Sequence, residues 1–390
     1  MAKRVSKAAS SDETTALTRV AMPTAPIITN LDEVIGQTPA KRVLKAAMQS
    51  GRVHHAWIFS GPSGVGKRTT ARAFAAALLD PTTGPNFTGE FAPDPASTVQ
   101  RLVRAGTHPD LHYIYKEHAV LSRDEKVRKG KQTTIAKEVL EEFLTEPATR
   151  TRVMIGDSLI GKAFIIDESE LIAPVGQNTL LKTLEEPPAG TVIILITANE
   201  EKLLPTIRSR CQRVGFTSLD DAEFDAWLRI SNLDIENTQR DWLRSFAAGS
   251  PGAARLAMSC DLFTWRVIVE PILTDIDNRK FDIEASARIS DLVNDHAEAE
   301  TKANANASKD GANKVWSRRM LAFIAEHYRR ALRRHTGQSA YQGVDDPETA
   351  RILAAIEAIN DAEGYVATNV STALIFENLL VQLASQHAGV

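Results

Sequence analysis

Cysteine is scarce in this chain of 390 residues, which contains only Cys211 and Cys260. Two thiols cannot form a four-thiolate zinc site, and residues 81–160 contain no cysteine at all. His108 and His112 lie four residues apart, but without a nearby cysteine this spacing does not indicate a metal site. The sequence therefore predicts no bound zinc. A disulfide is not expected either, because the chain shows no secretory signal.

Long apolar runs and a charge imbalance are also missing. No stretch of about 18 apolar residues occurs, so no membrane-spanning helix is expected. The net charge is −3, which is too small to attract nucleic acid through an overall field. Residues 1–30 begin with a few basic residues and a Ser/Thr-rich stretch, and we expect a disordered tail there rather than a signal peptide. The length and composition predict a cytoplasmic protein of two or three domains.

A glycine-rich loop over residues 61–67 is the clearest functional motif. The apolar run 56–60 before it predicts a buried parallel strand, and the alanine-rich stretch 69–79 after it predicts a helix. Strand, loop and helix in this order are typical of a phosphate-binding loop, with ATP or ADP as the ligand. Glycines let backbone N–H groups turn toward a phosphate, and a lysine reaches the outer phosphates. The residues concerned are Gly61, Gly64, Gly66 and Lys67.

Arg68 departs from this motif, which requires Ser or Thr at that position to place a hydroxyl on Mg²⁺. A guanidinium has only donors and cannot ligate a cation. Thr69 is turned by about 100° on a helix relative to Arg68, so it does not replace the missing hydroxyl. The loop therefore favours phosphate binding but not Mg²⁺-assisted hydrolysis.

Two further apolar strands are predicted, and each ends in polar residues. The run 163–166 leads into Asp167 and Glu168, which in a nucleotide site hold Mg²⁺ through water and orient the attacking water. The alternative is a solvated strand end. The run 191–196 leads to Thr197 and Asn199, which either sense a γ-phosphate or cap the strand end.

Several stretches resemble the AAA+ clamp-loader family over about residues 31–216. The most specific are the run Leu-Leu-Lys-Thr-Leu-Glu-Glu-Pro-Pro at 180–188 and the triplet Ser-Arg-Cys at 209–211; the others are Gly36-Gln37, residues 51–61 and His108-Pro109-Asp110-Leu111. The resemblance implies an α/β fold, with an AAA+ P-loop domain built on a doubly wound parallel sheet over 31–216. It further implies a small helical lid over 217–262 and an all-α oligomerisation collar over 263–390.

Within this family the chain is more similar to delta-prime subunits of bacterial DNA polymerase III than to tau/gamma motor subunits. Motor subunits carry a sensor arginine in the lid motif that here reads Gly-Ser-Pro-Gly-Ala over 249–253, where Gly252 takes its place. Pro251 is expected to begin a helix rather than continue one. The chain also ends at Val390, without the long additional domains expected of a full-length tau subunit. Together with Arg68, these features imply a stationary subunit with little or no ATPase activity, in which Glu168 is vestigial or weak.

The resemblance also implies that Arg210 is an arginine finger that acts in trans on a neighbouring subunit's ATP. A planar guanidinium neutralises a transferring phosphoryl group with two parallel donors. Arg208 is the competing candidate, with a salt bridge at the sheet rim as its alternative role. The implied partners are delta and tau/gamma subunits in a hetero-oligomeric pentameric ring, the sliding clamp and, indirectly, primed DNA, with no membrane. An ATP-hydrolysing motor or helicase loader, and a non-enzymatic scaffold, are the alternatives.

Two charged segments fall outside these motifs. Residues 116–131 are rich in Lys, Arg, Asp and Glu, which predicts a surface insertion. An amphipathic pattern over residues 315–334 places six arginines opposite an apolar face. This arginine face either contacts DNA or is a solvated helix flank, and the second interpretation is favoured.

Overall fold

The computed structural model of the protein describes residues 27–85, 91–130, 134–154, 156–233, 235–260, 262–303, 309–337, 346–366, 368 and 370–386. Most of the tail predicted for residues 1–30 lies outside these ranges. The chain forms two compact units. The first comprises residues up to 234 together with 248–255, and the second comprises residues 235–247 together with 256–390.

A five-stranded parallel sheet is the centre of the first unit. Its strands are β1 (Ala56–Ser60), β2 (Leu111–Ile114), β3 (Lys162–Ile166), β4 (Thr191–Thr197) and β5 (Gln212–Gly215). They lie in the order β2-β3-β4-β1-β5. Ser60 lies beside Thr197 on one side and Gly215 on the other, so the carboxyl ends of the central strands meet at one edge. A separate two-residue ladder joins Gly84–Pro85 to Phe91–Ala92.

Helices and short turns connect these strands. The helices of the first unit are α1 (Thr38–Gln49), α2 (Lys67–Leu79), α3 (Thr98–Ala105), α4 (Glu125–Lys129), α5 (Lys137–Leu140), α6 (Glu146–Thr149), α7 (Pro174–Glu185), α8 (Pro205–Arg208) and α9 (Asp221–Ile230). A π-helical turn, Glu141–Thr145, separates α5 from α6. Single 3-10 turns lie at Leu31–Glu33, Lys116–Leu121, Ser169–Leu171 and Glu200–Lys202.

Successive side chains of a strand point to opposite faces of the sheet. In this unit the side chains of both faces are buried. Trp57 and Phe59 of β1 pack into one core together with Phe74 of α2. Ile58 packs into a second core together with Leu180 of α7. Burial on both faces explains why β1, β3 and β4 read as continuous apolar runs. The predicted doubly wound α/β fold is confirmed.

The described residues of the second unit form helices joined by turns, with no strand among them. Its helices are α10 (Asn237–Ala247), the last four residues of α11 (Pro251–Ser259), α12 (Leu262–Asp277), α13 (Ala285–Ala303), α14 (Lys309–Thr336), α15 (Pro347–Val366) and α16 (Thr372–Ser385). Large side chains without solvent exposure form its core, among them Trp265, Phe323 and Phe376. The prediction of a largely helical C-terminal region is confirmed. None of the helices in the described part of the chain combines the length and apolar character that crossing a bilayer requires.

The arginine face of α14 is largely engaged within its own unit. Arg330 donates to Glu270 at 2.6 Å, and Arg333 pairs with the buried carboxylate of Glu326. The guanidinium of Arg319 lies 4.2 Å from the ring centre of Trp316. These contacts favour a packing role for the arginine face over DNA contact.

Candidate nucleotide site and arginine turn

The glycine-rich loop follows β1 directly and leads into α2. Gly61, Gly64 and Gly66 have φ values of 147°, 77° and 103°, which lie in the region that favours glycine. A Cβ on Gly61 would lie 2.2 Å from the carbonyl oxygen of Phe216, so no larger residue fits there. Since α2 begins at Lys67, the unpaired N–H groups of its first turn adjoin the loop. This is the arrangement that binds phosphate at a helix N-terminus.

Lys67 is buried beneath this loop. Only 6% of the residue is exposed, and its ammonium donates to the carbonyl oxygens of Gly61 at 2.5 Å and Pro62 at 2.6 Å. Burial lowers the pKa of Lys67, whereas the nearby carboxylates of Glu170 and Asp167 oppose that shift. An ammonium has three donors, so one remains for an anion bound at the loop.

The two carboxylates after β3 each face a basic side chain. Arg68 Nη1 lies 3.5 Å from Asp167 Oδ2, and Lys116 Nζ donates to Glu168 Oε2 at 2.7 Å. Burial raises the pKa of Asp167, and the charge of Arg68 opposes that shift. Within the described ranges, no group of three or more His, Cys, Asp or Glu is placed to hold a metal ion. A guanidinium thus lies beside the carboxylate that a metal-dependent nucleotide site uses to hold Mg²⁺.

Thr197 and Asn199 both take part in hydrogen bonds with the chain that follows β4. The Thr197 hydroxyl accepts the backbone N–H of Asn199 at 3.0 Å. The side-chain oxygen of Asn199 accepts the N–H of Glu201 at 3.0 Å and so begins the 3-10 turn. This geometry is that of strand-end capping, and a role in sensing a γ-phosphate stays a prediction.

The start of α11 lies against the glycine-rich loop. The N–H of Gly252 donates to the carbonyl of Gly64 at 2.8 Å, and the hydroxyl of Ser250 donates to that of Ser63 at 3.0 Å. A Cβ on Gly252 would lie 2.5 Å from the Cα of Gly64. Any side chain at 252, a sensor arginine included, meets this backbone. As predicted, the helix begins at Pro251.

Substituting Gly252 with alanine is expected to lower the free energy of unfolding by about 1–3 kcal/mol, because the new methyl group overlaps backbone that cannot rotate away. Gly215→Ala is the matched control, since a Cβ at Gly215 meets no atom within 4 Å. Thermal melting of the two variants and the wild type measures the difference. Equal melting temperatures for Gly252→Ala and the wild type would contradict the close packing of loop and helix.

Arg210 lies just after α8, at the turn that leads into β5. Its Nη2 lies 2.8 Å from Glu185 Oε1, and its Nη1 donates to the carbonyl of Thr206 at 3.0 Å. The side chain of Arg210 is 38% exposed, compared with 20% for Arg208. Arg208 pairs with Glu201 at 3.6 Å. Of the two candidates, Arg210 is thus the more accessible to another molecule.

Sequence reasoning missed two residues of these sites. Lys116 falls in the segment 116–131 that the charge pattern assigns to a surface insertion, yet it pairs with Glu168. Glu185 belongs to the specific run at 180–188, but nothing in the run shows that it pairs with Arg210. Both pairs join residues far apart in sequence, so neither leaves a local pattern.

Comparison with known proteins supports the sequence resemblance. The profile of the family described as "DNA polymerase III, delta subunit" matches residues 36–220. The Escherichia coli DNA polymerase III subunit delta' is 32% identical over 212 residues, covering 54% of this chain and 56% of that protein. Residues 36–220 are thus similar to members of the DNA polymerase III clamp-loader family.

Proteins named as gamma/tau subunits of DNA polymerase III are also similar to this chain. Mycobacterium tuberculosis DNA polymerase III subunit gamma/tau is 34% identical over 191 residues, covering 48% of this chain and 28% of that protein. The chain thus spans between about a quarter and just over half of the length of these relatives. A solved structure of Thermotoga maritima RuvB is 16% identical, with a TM-score of 0.40 over 78% of this chain and 80% of that one. A similarity of this size adds nothing to the family assignment.

Proposed function

We propose that the chain is a delta-prime-like stationary subunit of the DNA polymerase III clamp loader. It would supply Arg210 in trans to the ATP site of a neighbouring motor subunit, so that the sliding clamp is loaded on primed DNA. Its partners would be delta and tau/gamma subunits in a pentameric ring. The domains we assign are a nucleotide-binding domain over 31–216, a lid over 217–262 and a collar over 263–390.

The observation that carries this proposal is the position of Arg210 relative to the loop of its own chain. The loop begins at the carboxyl edge of the sheet, where Ser60 pairs with Gly215. Arg210 precedes β5 and therefore lies at the amino edge, near Gln212, which pairs with Trp57. The four residues of β5 separate the two edges by about 13 Å. This separation favours action on a phosphate bound by another subunit.

The contacts of Arg210 are compatible with exchange for such a phosphate. The ion pair with Glu185 is exposed, because the two side chains are 38% and 50% accessible. An exposed ion pair of this kind contributes only about 0.2–1 kcal/mol. The charge that develops on a transferring phosphoryl group is a stronger partner for a guanidinium. We therefore expect Arg210 to leave Glu185 when the neighbouring subunit binds ATP.

The chain's own site favours a stationary subunit over the motor alternative. Arg68 stands where the motif has a Ser or Thr hydroxyl that ligates Mg²⁺, and its guanidinium faces Asp167. The backbone around Gly252 leaves no room for a sensor arginine. We expect the isolated chain to turn over ATP far more slowly than about 1 s⁻¹, the low end of typical enzyme rates. Arg68→Thr alone should not restore turnover, since Gly252 remains. A steady-state assay with and without primed DNA checks this, and DNA-stimulated turnover near that rate would select the motor alternative.

Assembly is the direct test of the proposed partnership. The purified chain, mixed with the delta and tau/gamma subunits of its own organism, should elute from size exclusion as one complex of defined stoichiometry. The same mixture without the chain should not form that complex. A chain that remains separate from both subunits would contradict the proposed function.

A further inference from the structure

The carboxylates that a phosphate-loop protein uses to hold Mg²⁺ and water are both paired with cations of this chain. Arg68 lies at 3.5 Å from Asp167, and Lys116 lies at 2.7 Å from Glu168. These two ion pairs come from different elements, the first turn of α2 and the 3-10 turn after β2. In each pair, a cation of this chain neutralises a carboxylate that a metal-dependent site keeps free for Mg²⁺ or for the attacking water.

We propose that the loop binds a nucleoside di- or triphosphate without a divalent metal, with Arg68 and Lys116 supplying the positive charge that Mg²⁺ supplies elsewhere. This inference rests on the nucleotide site of the proposed function but not on the arginine finger. The ligand class is a metal-free polyphosphate such as ATP⁴⁻ or ADP³⁻.

Formal charge supports the replacement of Mg²⁺ by Arg68 and Lys116. A guanidinium and an ammonium together carry the charge of one Mg²⁺, so the site can accept the uncomplexed nucleotide without a change in its electrostatic balance. Arginine suits this position, because it stays protonated and presents its donors in a fork that matches phosphate oxygens. Lys67 adds the remaining donor of its ammonium from within the loop.

The topology brings these groups to one edge of the sheet. The loop follows β1, and Asp167 and Glu168 follow β3, with the single strand β4 between them. Parallel strands end at the same edge, so the loop and the two ion pairs lie in the crevice where doubly wound sheets bind ligands. A divalent cation entering this crevice would be repelled by the adjacent guanidinium. The site therefore disfavours the metal that the motif ordinarily requires.

Nucleotide binding to the full-length chain with and without metal tests the proposal. Fluorescence anisotropy with labelled ATP and ADP is measured once in excess Mg²⁺ and once in excess EDTA. We expect the dissociation constant in EDTA to be no larger than that in Mg²⁺, because complexation by Mg²⁺ removes the free nucleotide that the site takes. Lys67→Ala should abolish binding in both, which assigns the signal to this loop. Binding that disappears in EDTA overturns the proposal.

Arg68→Ser separates the metal-free mode from the metal-dependent one. Without the guanidinium, affinity in EDTA should fall by about tenfold or more, since a charge-assisted hydrogen bond is lost. Affinity in Mg²⁺ should recover, because the new hydroxyl and the released Asp167 can hold the metal. Arg101→Ser, on the exposed side of α3, removes the same charge elsewhere and should change neither value. Equal affinities of Arg68→Ser in the two conditions would also overturn the proposal.

Failure of metal-free nucleotide binding is distinguishable from failure of the proposed function. A folded chain that binds neither nucleotide in either condition overturns the metal-free site and leaves the role of Arg210 untouched. Conversely, a loader that functions without Arg210 overturns the finger and leaves metal-free binding untouched.

Discussion

Replacing Arg210 with alanine is expected to leave the loader assembled while sharply reducing ATP hydrolysis and clamp loading. Arginine fingers of GTPases contribute about 10³–10⁵ in rate, and a loss of this order is expected at the one site that faces this subunit. The whole ring should lose less, because its other ATP sites keep their own fingers. The measurement is single-turnover ATP hydrolysis by stoichiometric complexes with clamp and primed DNA.

Three variants test whether the effect belongs to the guanidinium of Arg210. Arg210→Lys should also be impaired, because an ammonium is a point charge without the two-pronged donor geometry. Arg208→Ala should be milder, since Arg208 is the less exposed side chain. Glu185→Gln removes the charge that holds Arg210 in the free chain and should preserve hydrolysis. Equal activity of wild type and Arg210→Ala would leave the triplet at 209–211 as a structural turn.

Substituting Trp265 with alanine is expected to destabilise the second unit by about 3–5 kcal/mol, the usual range for truncating a buried tryptophan. Trp265 has no solvent exposure and packs against Trp316 and Phe323. If the second unit is the collar, this variant should lose assembly at temperatures where its helices melt, yet retain nucleotide binding. Circular dichroism and size exclusion over the same temperatures measure both effects.

Val267→Ala on the same helix is the control for Trp265→Ala. Val267 is 68% exposed, so its truncation should change neither melting nor assembly. Normal assembly by Trp265→Ala after its second unit has melted would show that the ring is held together by other residues.

The strands of the sheet differ in how far the sequence predicts them. The runs at 56–60, 163–166 and 191–196 were predictable because β1, β3 and β4 are buried on both faces and hence continuously apolar. β2 reads Leu-His-Tyr-Ile and lies at the sheet edge, where its two central residues are only partly buried. Such a short, half-polar strand does not stand out from a turn.

The contacts of the site that the sequence does not predict join residues that are far apart in the chain. Arg68 by itself predicts the loss of the metal hydroxyl, but its contact with Asp167 depends on the order of β1, β4 and β3 in the sheet. The charge of Lys116 predicts exposure in general, since a charged segment has no fixed partner until the fold brings one close. Gly252 likewise marks a missing arginine in the motif, whereas its contact with Gly64 appears only in the folded chain.

The central claim is that this chain acts on ATP through Arg210 rather than through its own loop. The most direct measurement is the clamp- and DNA-stimulated ATP turnover of three reconstituted loaders of equal stoichiometry, containing the wild-type chain, Lys67→Ala or Arg210→Ala. We predict turnover near the wild-type rate for Lys67→Ala, because we propose that the chain's own loop does not hydrolyse ATP, and a clear loss for Arg210→Ala. The opposite order, with Lys67→Ala inactive and Arg210→Ala active, would contradict the account.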